Sequence, residues 1–418
     1  MTDTAPTRTL DARQLSLVVV FLTVVIDLLG FGMVLPLLPV YGKELTAGLS
    51  GMTANLVLGL LMVCYSLLQL IFDPFWSRVS DYLGRRPILV LGLASTWHSL
   101  AWLFVARIVG GIMGGTVPTA QAYIADITPP EQRAHGMALI GAAFGLGLTF
   151  GPLLGAVALL AAGSSKLSPW PGYLAAGLSM TALGLALVWL KESLHHRASI
   201  RQARKHMNLR ELREALRVPS IGMLMIAMFI CVFGFAAVEG TLSLVLSFFL
   251  KVDKENYKIL LAFACVGFVQ TIVQGGLVRW MATFTSEGML SMIGAVLSIV
   301  GYLALALAAV PQTGGTILVV VAASIVVSGL GFLYPSINAL LSRRSDPDKQ
   351  GGILGIGGAL GTLGRIAGIP LALVLMRLGQ PVPYWVSAGL MMAVLVLVTV
   401  ALRAGRDFVV LEKAAAGV

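Results

Sequence analysis

Charged residues are scarce in this sequence. Asp, Glu, Lys and Arg make up 11% of the 418 residues, whereas hydrophobic residues make up 57%, and the mean hydropathy is +0.90. A soluble protein of this length has too small an interior to hide so much apolar surface. The composition therefore predicts an all-α polytopic membrane protein.

Cysteine and the common catalytic motifs are also lacking. The three cysteines, Cys64, Cys231 and Cys265, lie within apolar runs, and no two have the spacing of a metal or redox motif. We find no nucleotide-binding glycine loop and no nucleophile elbow. These absences argue against an enzyme and against an ATP-driven pump, and we expect no cofactor and no metal.

Acidic residues are outnumbered by basic ones. The chain has 29 Lys and Arg against 19 Asp and Glu, a net charge of +10. In a membrane protein such an excess collects in the loops that face the cytoplasm, so we interpret it as a topology signal and expect no nucleic-acid partner. Most basic residues fall in the inner loops when both termini are placed in the cytoplasm. A plasma membrane or bacterial inner membrane fits this arrangement.

Long apolar runs fill most of the chain. A helix needs about 20 residues to cross the hydrocarbon. The predicted membrane spans are 15–40, 54–77, 87–103, 104–126, 134–162, 171–190, 219–250, 258–280, 288–310, 315–341, 351–376 and 383–402. The third span is barely long enough, so either its outer end is short or residues are absent between Ala94 and Leu103.

A polar segment divides these spans into two sets of six. Residues 191–218 are rich in Lys and Arg and form a predicted cytoplasmic linker, either as a helix on the inner leaflet or as a mobile segment. We therefore predict six-helix bundles at 15–190 and 219–402, with cytoplasmic tails at 1–14 and 403–418.

A short charged stretch, 73–87, lies between the second and third spans. It contains Asp81 and ends with Gly84-Arg85-Arg86 before a proline. This pattern resembles the loop between helices two and three of the major facilitator superfamily. The resemblance implies that Asp81, Gly84, Arg85 and Arg86 form a gating loop that closes the inner side.

Three further stretches resemble the drug:proton antiporter branch of that superfamily, and most closely its tetracycline-efflux-like members. They are Asp27–Pro39 in the first span, Arg107–Gly111 in the fourth and Gly147–Gly155 in the fifth. The resemblance implies twelve transmembrane helices arranged as two six-helix bundles. It also implies export of a small amphipathic organic compound in exchange for protons by alternating access.

The second half resembles the family more weakly, through Glu239 in the seventh span and Gly364–Pro370 in the eleventh.

A carboxylate inside the membrane is costly unless it faces the interior, is paired or takes up a proton. Asp27 and Glu239 are therefore our candidates for proton carriers. The alternative for each is a hydrogen-bonded packing group at a helix kink.

Two arginines also lie within predicted spans. Arg107 cannot lose its charge and needs a partner, so it either stabilises a carboxylate and influences when the proton leaves, or bridges to a helix end. Arg365 has the same two interpretations, and it also lies near enough to the inner surface to reach water. Both belong to the predicted proton-coupling group.

The antiporter-like motif of the fifth span is rich in small residues. Gly147, Gly151 and Gly155 allow another helix to approach closely, and Pro152 removes a backbone donor and bends the helix. We interpret this motif as structural packing that shapes the outer end of the molecule.

The remaining candidates for the substrate cavity are polar or aromatic residues within the spans. They are Gln270, Gln274, Tyr65, Phe235 and Tyr334. Hydrogen bonding between helices is the alternative for the glutamines, and contact with lipid or core is the alternative for the aromatic residues.

Two other functions remain open. The same fold serves a uniporter or symporter of a metabolite such as an organic anion, with Arg107 or Arg365 as the partner of the anion. A membrane scaffold that transports nothing is the third hypothesis. The expected partners are a small-molecule substrate, protons as the coupling ion and membrane lipids, and the expected oligomeric state is a monomer.

Overall fold

The computed structural model describes residues 12–83, 100–112, 114, 119–120, 123–124, 127, 133–163, 168–189, 219–251, 256–312, 314–345 and 350–405. Every regular element in these ranges is a helix. The gating-loop residues Gly84, Arg85 and Arg86, the linker 191–218 and most of both predicted tails lie outside the described residues. The same is true of 94–99, where we raised the question of absent residues.

Six helices are described in the first half of the chain. They are α1 (Ala12–Val34), α2 (Leu38–Leu45), α3 (Gly51–Leu83), α4 (Leu100–Ile112), α5 (Arg133–Ala161) and α6 (Trp170–Trp189).

The second half contains α7 (Pro219–Phe249), α8 (Tyr257–Ile272), α9 (Val278–Met281), α10 (Glu287–Ala308), α11 (Thr316–Arg344), α12 (Gln350–Leu375) and α13 (Val382–Ala404). A π-helical turn, Val273–Leu277, joins α8 to α9. Helix α8, this turn and α9 therefore form one continuous span.

Within the described ranges, ten helices are long and apolar enough to cross a membrane. A shorter apolar helix, Leu103–Ile112, falls within the predicted pair of spans three and four. Each long helix is partly buried and partly exposed, as expected for helices that contact both a protein interior and lipid. The prediction of an all-α polytopic membrane protein is confirmed.

The first predicted span is shorter than expected. Helix α1 ends at Val34, and a turn at 35–37 leads into the separate helix α2. Pro36 lies in this turn, and Pro39 is in the first turn of α2, where a missing N–H group costs least. Two prolines three residues apart therefore divide a run that hydropathy alone joins.

The start of the fourth predicted span also differs. Residues Leu100 to Leu103, which we assigned to the third span, belong to α4. The run Leu100–Val109 contains no glycine or proline, so nothing in it favours a turn at residue 103.

The helices of each half pack around their own apolar core. In the first half, α1 contacts α5 and α6, and the core includes Val20, Val24 and Tyr123. In the second half, α10 contacts α11, while α7 contacts α12 and α13.

The two halves meet through α5 against α8 and through α3 against α12. One end of the molecule contains the turns after α1, α5, α7 and α12. We call it the sealed end, because two apolar clusters there join both halves. One includes Leu38, Leu61 and Ile369, and the other includes Leu37 and Leu260. The opposite end, where the described chain begins and finishes, is the terminal end.

Candidate functional site

The four charged residues predicted for proton coupling lie in the middle part of the molecule. Asp27 is on α1, Arg107 on α4, Glu239 on α7 and Arg365 on α12. Each lies at least seven residues from both ends of its helix, except Arg107, whose helix α4 is described only to Ile112. Each bundle therefore contributes two of these charged residues.

Glu239 and Arg365 form an ion pair within the second bundle. The Nε atom of Arg365 donates to Oε2 of Glu239 at 2.8 Å, and the two side chains are 36% and 12% exposed. A carboxylate this deep in a membrane protein needs a partner or a proton, and the guanidinium supplies the partner.

Close packing of α12 on α7 places this ion pair. A Cβ atom at Gly364 would lie 2.7 Å from the carbonyl oxygen of Phe229, and one at Gly368 would lie 2.5 Å from that of Phe233. Only glycine leaves room for these helices at this distance. The glycines that flank Arg365 therefore bring it within reach of Glu239.

Arg107 has a different environment. Its Cζ atom lies 4.5 Å from the centre of the Tyr65 ring, a cation–π contact. Its Nε atom is buried and donates no hydrogen bond, and no described carboxylate pairs with it. Of these two arginines within the spans, only Arg365 is paired with a carboxylate among the described residues.

Asp27 is partly buried on α1. No hydrogen bond or ion pair joins it to another side chain in the described ranges. The carboxylate that we expected Arg107 to stabilise is therefore not Asp27 in this conformation. Phe31, one turn further along α1, places its ring 6.2 Å from that of Tyr65.

The other cavity candidates lie in several environments. Tyr334 on α11 is 37% exposed. Gln274 lies in the π-helical turn with its Cγ atom close to Gly331 of α11, whereas Phe235 packs against the core of the second bundle. Gln270, one turn before Gln274, is partly buried on α8.

The small residues of α5 make the close contacts that their type predicts. Gly147 packs against Leu28 of α1, and a Cβ atom at Gly151 would lie 2.7 Å from the carbonyl oxygen of Leu29. Pro152 packs against Gly32 of α1. The motif therefore fixes α5 on α1 within the first bundle.

Gly155 extends this packing to the other bundle. A Cβ atom at Gly155 would lie 3.1 Å from Cδ1 of Leu260 on α8, and 3.4 Å from the side chain of Met33 on α1. The last glycine of the motif thus contacts both halves at the sealed end.

The predicted gating loop is described only at its start. Asp81 lies in the last turn of α3, and its side chain is outside the described part of the structure. The role of Asp81, Gly84, Arg85 and Arg86 stays a prediction.

Three polar residues that join the bundles were missed from the sequence. Nδ2 of Asn55 on α3 donates to the carbonyl oxygen of Leu373 at 3.1 Å. The hydroxyl groups of Thr149 and Thr271 hydrogen-bond at 2.8 Å, and Thr271 also donates to the carbonyl oxygen of Gly145. The available signal for the threonines was their spacing from glycines, since Thr149 lies two residues from Gly147 and Gly151, and Thr271 lies one helical turn after Gly267.

In the described ranges, no three His, Cys, Asp or Glu side chains come together as a metal site would require. The central region offers an ion pair between Glu239 and Arg365, the carboxyl group of Asp27 and the aromatic contact of Arg107 with Tyr65.

Comparison with known proteins identifies the fold. The family described as Major Facilitator Superfamily matches residues 20–369. Major facilitator superfamily domain-containing protein 10 of Mus musculus is 31% identical over 412 residues, covering 84% of this chain and 85% of that protein. Tetracycline resistance protein, class C, of Escherichia coli is 30% identical over 370 residues, covering 84% of this chain and 87% of that protein.

Solved structures agree with this assignment. The crystal structure of the human organic anion transporter MFSD10 (TETRAN) matches with a TM-score of 0.66 and 25% identity, covering 94% of this chain and 100% of that one. The crystal structure of a D-xylose-proton symporter matches with a TM-score of 0.72 and 17% identity, covering 91% and 96% of the two chains, and shows the fold alone. Together with the membrane helices, these matches show that the chain belongs to the major facilitator superfamily and is a transporter, not an enzyme.

Proposed function

We propose that this chain is a secondary active transporter of a small amphipathic organic anion, coupled to protons. The observation that carries the proposal is the buried charge of Arg107, for which the described residues provide an aromatic ring and no carboxylate. An uncompensated cation inside a membrane protein is costly, and guanidinium retains its charge. An anionic group on a substrate would compensate it.

The surroundings of Arg107 support a substrate with an apolar body. Phe31 supplies aromatic surface on the first bundle, and Tyr334 supplies an exposed ring on the second. Two oxygens of a carboxylate, sulfonate or phosphate group suit the fork of N–H donors of an arginine. The human relative described as an organic anion transporter is consistent with this substrate class.

Glu239 offers a means of proton coupling. In this proposal an anion held by Arg107 also attracts Arg365 of the other bundle and competes with Glu239 for it. Once Glu239 loses its partner, its carboxylate is stabilised by taking up a proton. The proton and the anion then cross together, and release of both restores the Glu239–Arg365 pair.

Exchange of a compound for protons is the second candidate. Asp27 has no ion-pair partner among the described residues, so a proton and a cationic or neutral compound would compete for it directly. The similarity to tetracycline resistance proteins is the reason for considering this alternative. Loss of proton coupling in Asp27→Asn, together with normal coupling in Glu239→Gln, would favour exchange over cotransport.

Alternating access of the two bundles is the proposed transport cycle. The sealed end closes one side through apolar clusters, and the gating loop around Asp81 is proposed to close the other. We also propose that the linker and both termini face the cytoplasm, in a plasma or inner membrane, and that the transporter is a monomer.

Uptake into proteoliposomes tests the substrate class. Wild-type protein should transport an amphipathic monoanion such as a fluorescent aryl carboxylate, driven by a pH gradient. Arg107→Gln should raise the KM at least roughly 30-fold, as expected when one partner of a buried charge pair is removed. Arg403→Gln, which changes an exposed arginine at the terminal end, is the matched control. An unchanged KM in Arg107→Gln would contradict the proposal.

A further inference from the structure

Tyr65 provides the contact that Arg107 makes in place of a counter-ion. The face of an aromatic ring attracts a cation through its quadrupole, and it carries no net charge. With its Cζ atom 4.5 Å from the ring centre, Arg107 is therefore stabilised without being neutralised. Its positive charge remains available to an anion that enters the space between the bundles.

The close approach of α4 to α3 at Gly111 places Arg107 over this ring. Gly111 lies one helical turn after Arg107 on the same face of α4. A Cβ atom at Gly111 would lie 2.6 Å from the carbonyl oxygen of Tyr65 and 2.9 Å from Cβ of Leu68. Any larger residue would therefore push α4 away from α3, and the guanidinium away from the ring.

Two more contacts fix the same position. A Cβ atom at Gly114 would lie 3.3 Å from the Tyr65 hydroxyl oxygen, and Nε2 of Gln69 donates to the carbonyl oxygen of Gly114 at 3.2 Å. On the other side, the Phe31 ring lies against Tyr65 at 6.2 Å. The Tyr65 ring is thus held between α1 and the stretch that follows α4.

We propose that Tyr65 is a positioning residue, which holds the guanidinium of Arg107 towards the anionic group of the substrate and leaves its charge uncompensated. Tyr65 acts through Arg107 and does not itself select the substrate. This role rests on the proposed function, in which Arg107 binds the anion. It also changes our interpretation of Tyr65 from a substrate contact to a support for the charged residue.

A double-mutant cycle tests the role of Tyr65. The apparent Kd of the anion would be measured by tryptophan fluorescence for wild type, Tyr65→Leu, Arg107→Gln and the double variant. Tyr65→Leu should raise the Kd roughly 3- to 30-fold, the range of a partly desolvated cation–π contact. In the Arg107→Gln background the same change should have no further effect, because the residue through which it acts is gone.

Two further variants test the hydroxyl group of Tyr65 and the position of α4 separately. Tyr65→Phe keeps an aromatic face and should bind the anion within about twofold of wild type. Gly111→Ala keeps Tyr65 and should still raise the Kd, because it separates α4 from α3. Tyr173→Leu, at an exposed position on α6, controls for loss of an aromatic residue.

The possible results are distinct. An equal effect of Tyr65→Leu in both backgrounds would overturn the inference, because the ring would then contact the substrate directly. A loss in Tyr65→Phe as large as in Tyr65→Leu would also overturn it. An unchanged Kd in Arg107→Gln would refute the proposed function instead. If the Kd rises in Arg107→Gln and is unchanged in Tyr65→Leu, only the positioning role is refuted.

Discussion

The two arginines within the spans differ in what surrounds them. Arg365 has a carboxylate at 2.8 Å, whereas Arg107 has the face of a tyrosine. The first is neutralised in this conformation, and in the proposed cycle a proton on Glu239 releases it. The second remains charged throughout. This difference separates the proposed coupling pair from the proposed anion-binding residue, although sequence reasoning placed both arginines in one group.

Glu239→Gln tests the coupling pair. An amide cannot neutralise Arg365, so the anion should bind more tightly, with KM lower by roughly tenfold, the scale of one charge-assisted hydrogen bond. Since an amide takes up no proton, transport should also lose its stimulation by a pH gradient that is acidic on the side of the anion. Uptake into proteoliposomes at several external pH values measures both effects.

The matched control is Glu287→Gln. Glu287 pairs with Arg343 at 2.8 Å as well, but at the terminal end, where the two side chains are 33% and 52% exposed. A pair this exposed contributes little, so this variant should keep wild-type coupling. Retained pH stimulation in Glu239→Gln would contradict the assigned role.

Helix α5 illustrates what one element does for both bundles. Gly147 and Gly151 fit against α1, while Gly145 and Gly155 contact residues of α8. The glycine repeat was visible in the sequence, and close packing followed from residue type alone. The sequence did not show which neighbour each glycine contacts. Helical spacing shows which residues share a face of the helix, but not which other helix packs against that face.

Gly147→Ala should destabilise the protein. Its Cβ atom would collide with Leu28 of α1, and overpacking of this kind costs about 1–3 kcal/mol. Gly141→Ala on the same helix is the control, because no described atom lies within 4 Å of its added Cβ, and alanine favours a helix by up to about 1 kcal/mol. Thermal unfolding in detergent should show a lower Tm only for Gly147→Ala. Equal Tm values would show that α1 and α5 separate easily.

At the scale of the whole molecule, contacts between the bundles lie at two depths. Asn55, Gly59 and Pro370 meet at the sealed end, whereas Gly145 and Thr271 meet near the middle of their spans. When two bundles rock against each other, their ends separate more than their middle. We therefore expect the sealed-end contacts to break in each cycle, and the contact of Gly145 with Thr271 to persist.

Disulfide cross-links compare the two depths. An ideal Cβ at Gly59 lies 3.5 Å from Cβ of Pro370, and one at Gly145 lies 3.7 Å from Cβ of Thr271, both compatible with a disulfide. In a background without Cys64, Cys231 and Cys265, oxidation of Gly59→Cys with Pro370→Cys should stop uptake until a reductant is added. Oxidation of Gly145→Cys with Thr271→Cys should leave most uptake. Equal inhibition of both would mean that the bundles do not pivot near this contact.

Much of the architecture followed from the sequence. Apolar runs of membrane-spanning length and the charged stretch at 73–87 predicted a multi-span helical membrane protein of this superfamily, because the hydrocarbon requires about 20 apolar residues per helix. The errors were at α1 and α4. A hydropathy profile does not show that a proline turn, such as the one at Pro36, interrupts an apolar run. It also does not show that the helix continues through Leu103, where we predicted a turn.

The chemistry at the centre depended on tertiary structure. The sequence by itself determined that Asp27, Arg107, Glu239 and Arg365 are charged groups in an apolar chain, and each such group must find a partner. Only the packing of α12 on α7 and of α4 on α3 decided that Arg365 pairs with a carboxylate and Arg107 with an aromatic ring. The physical reason is that ion pairs and cation–π contacts act over a few ångströms, whereas their members are 126 and about 40 residues apart in the chain.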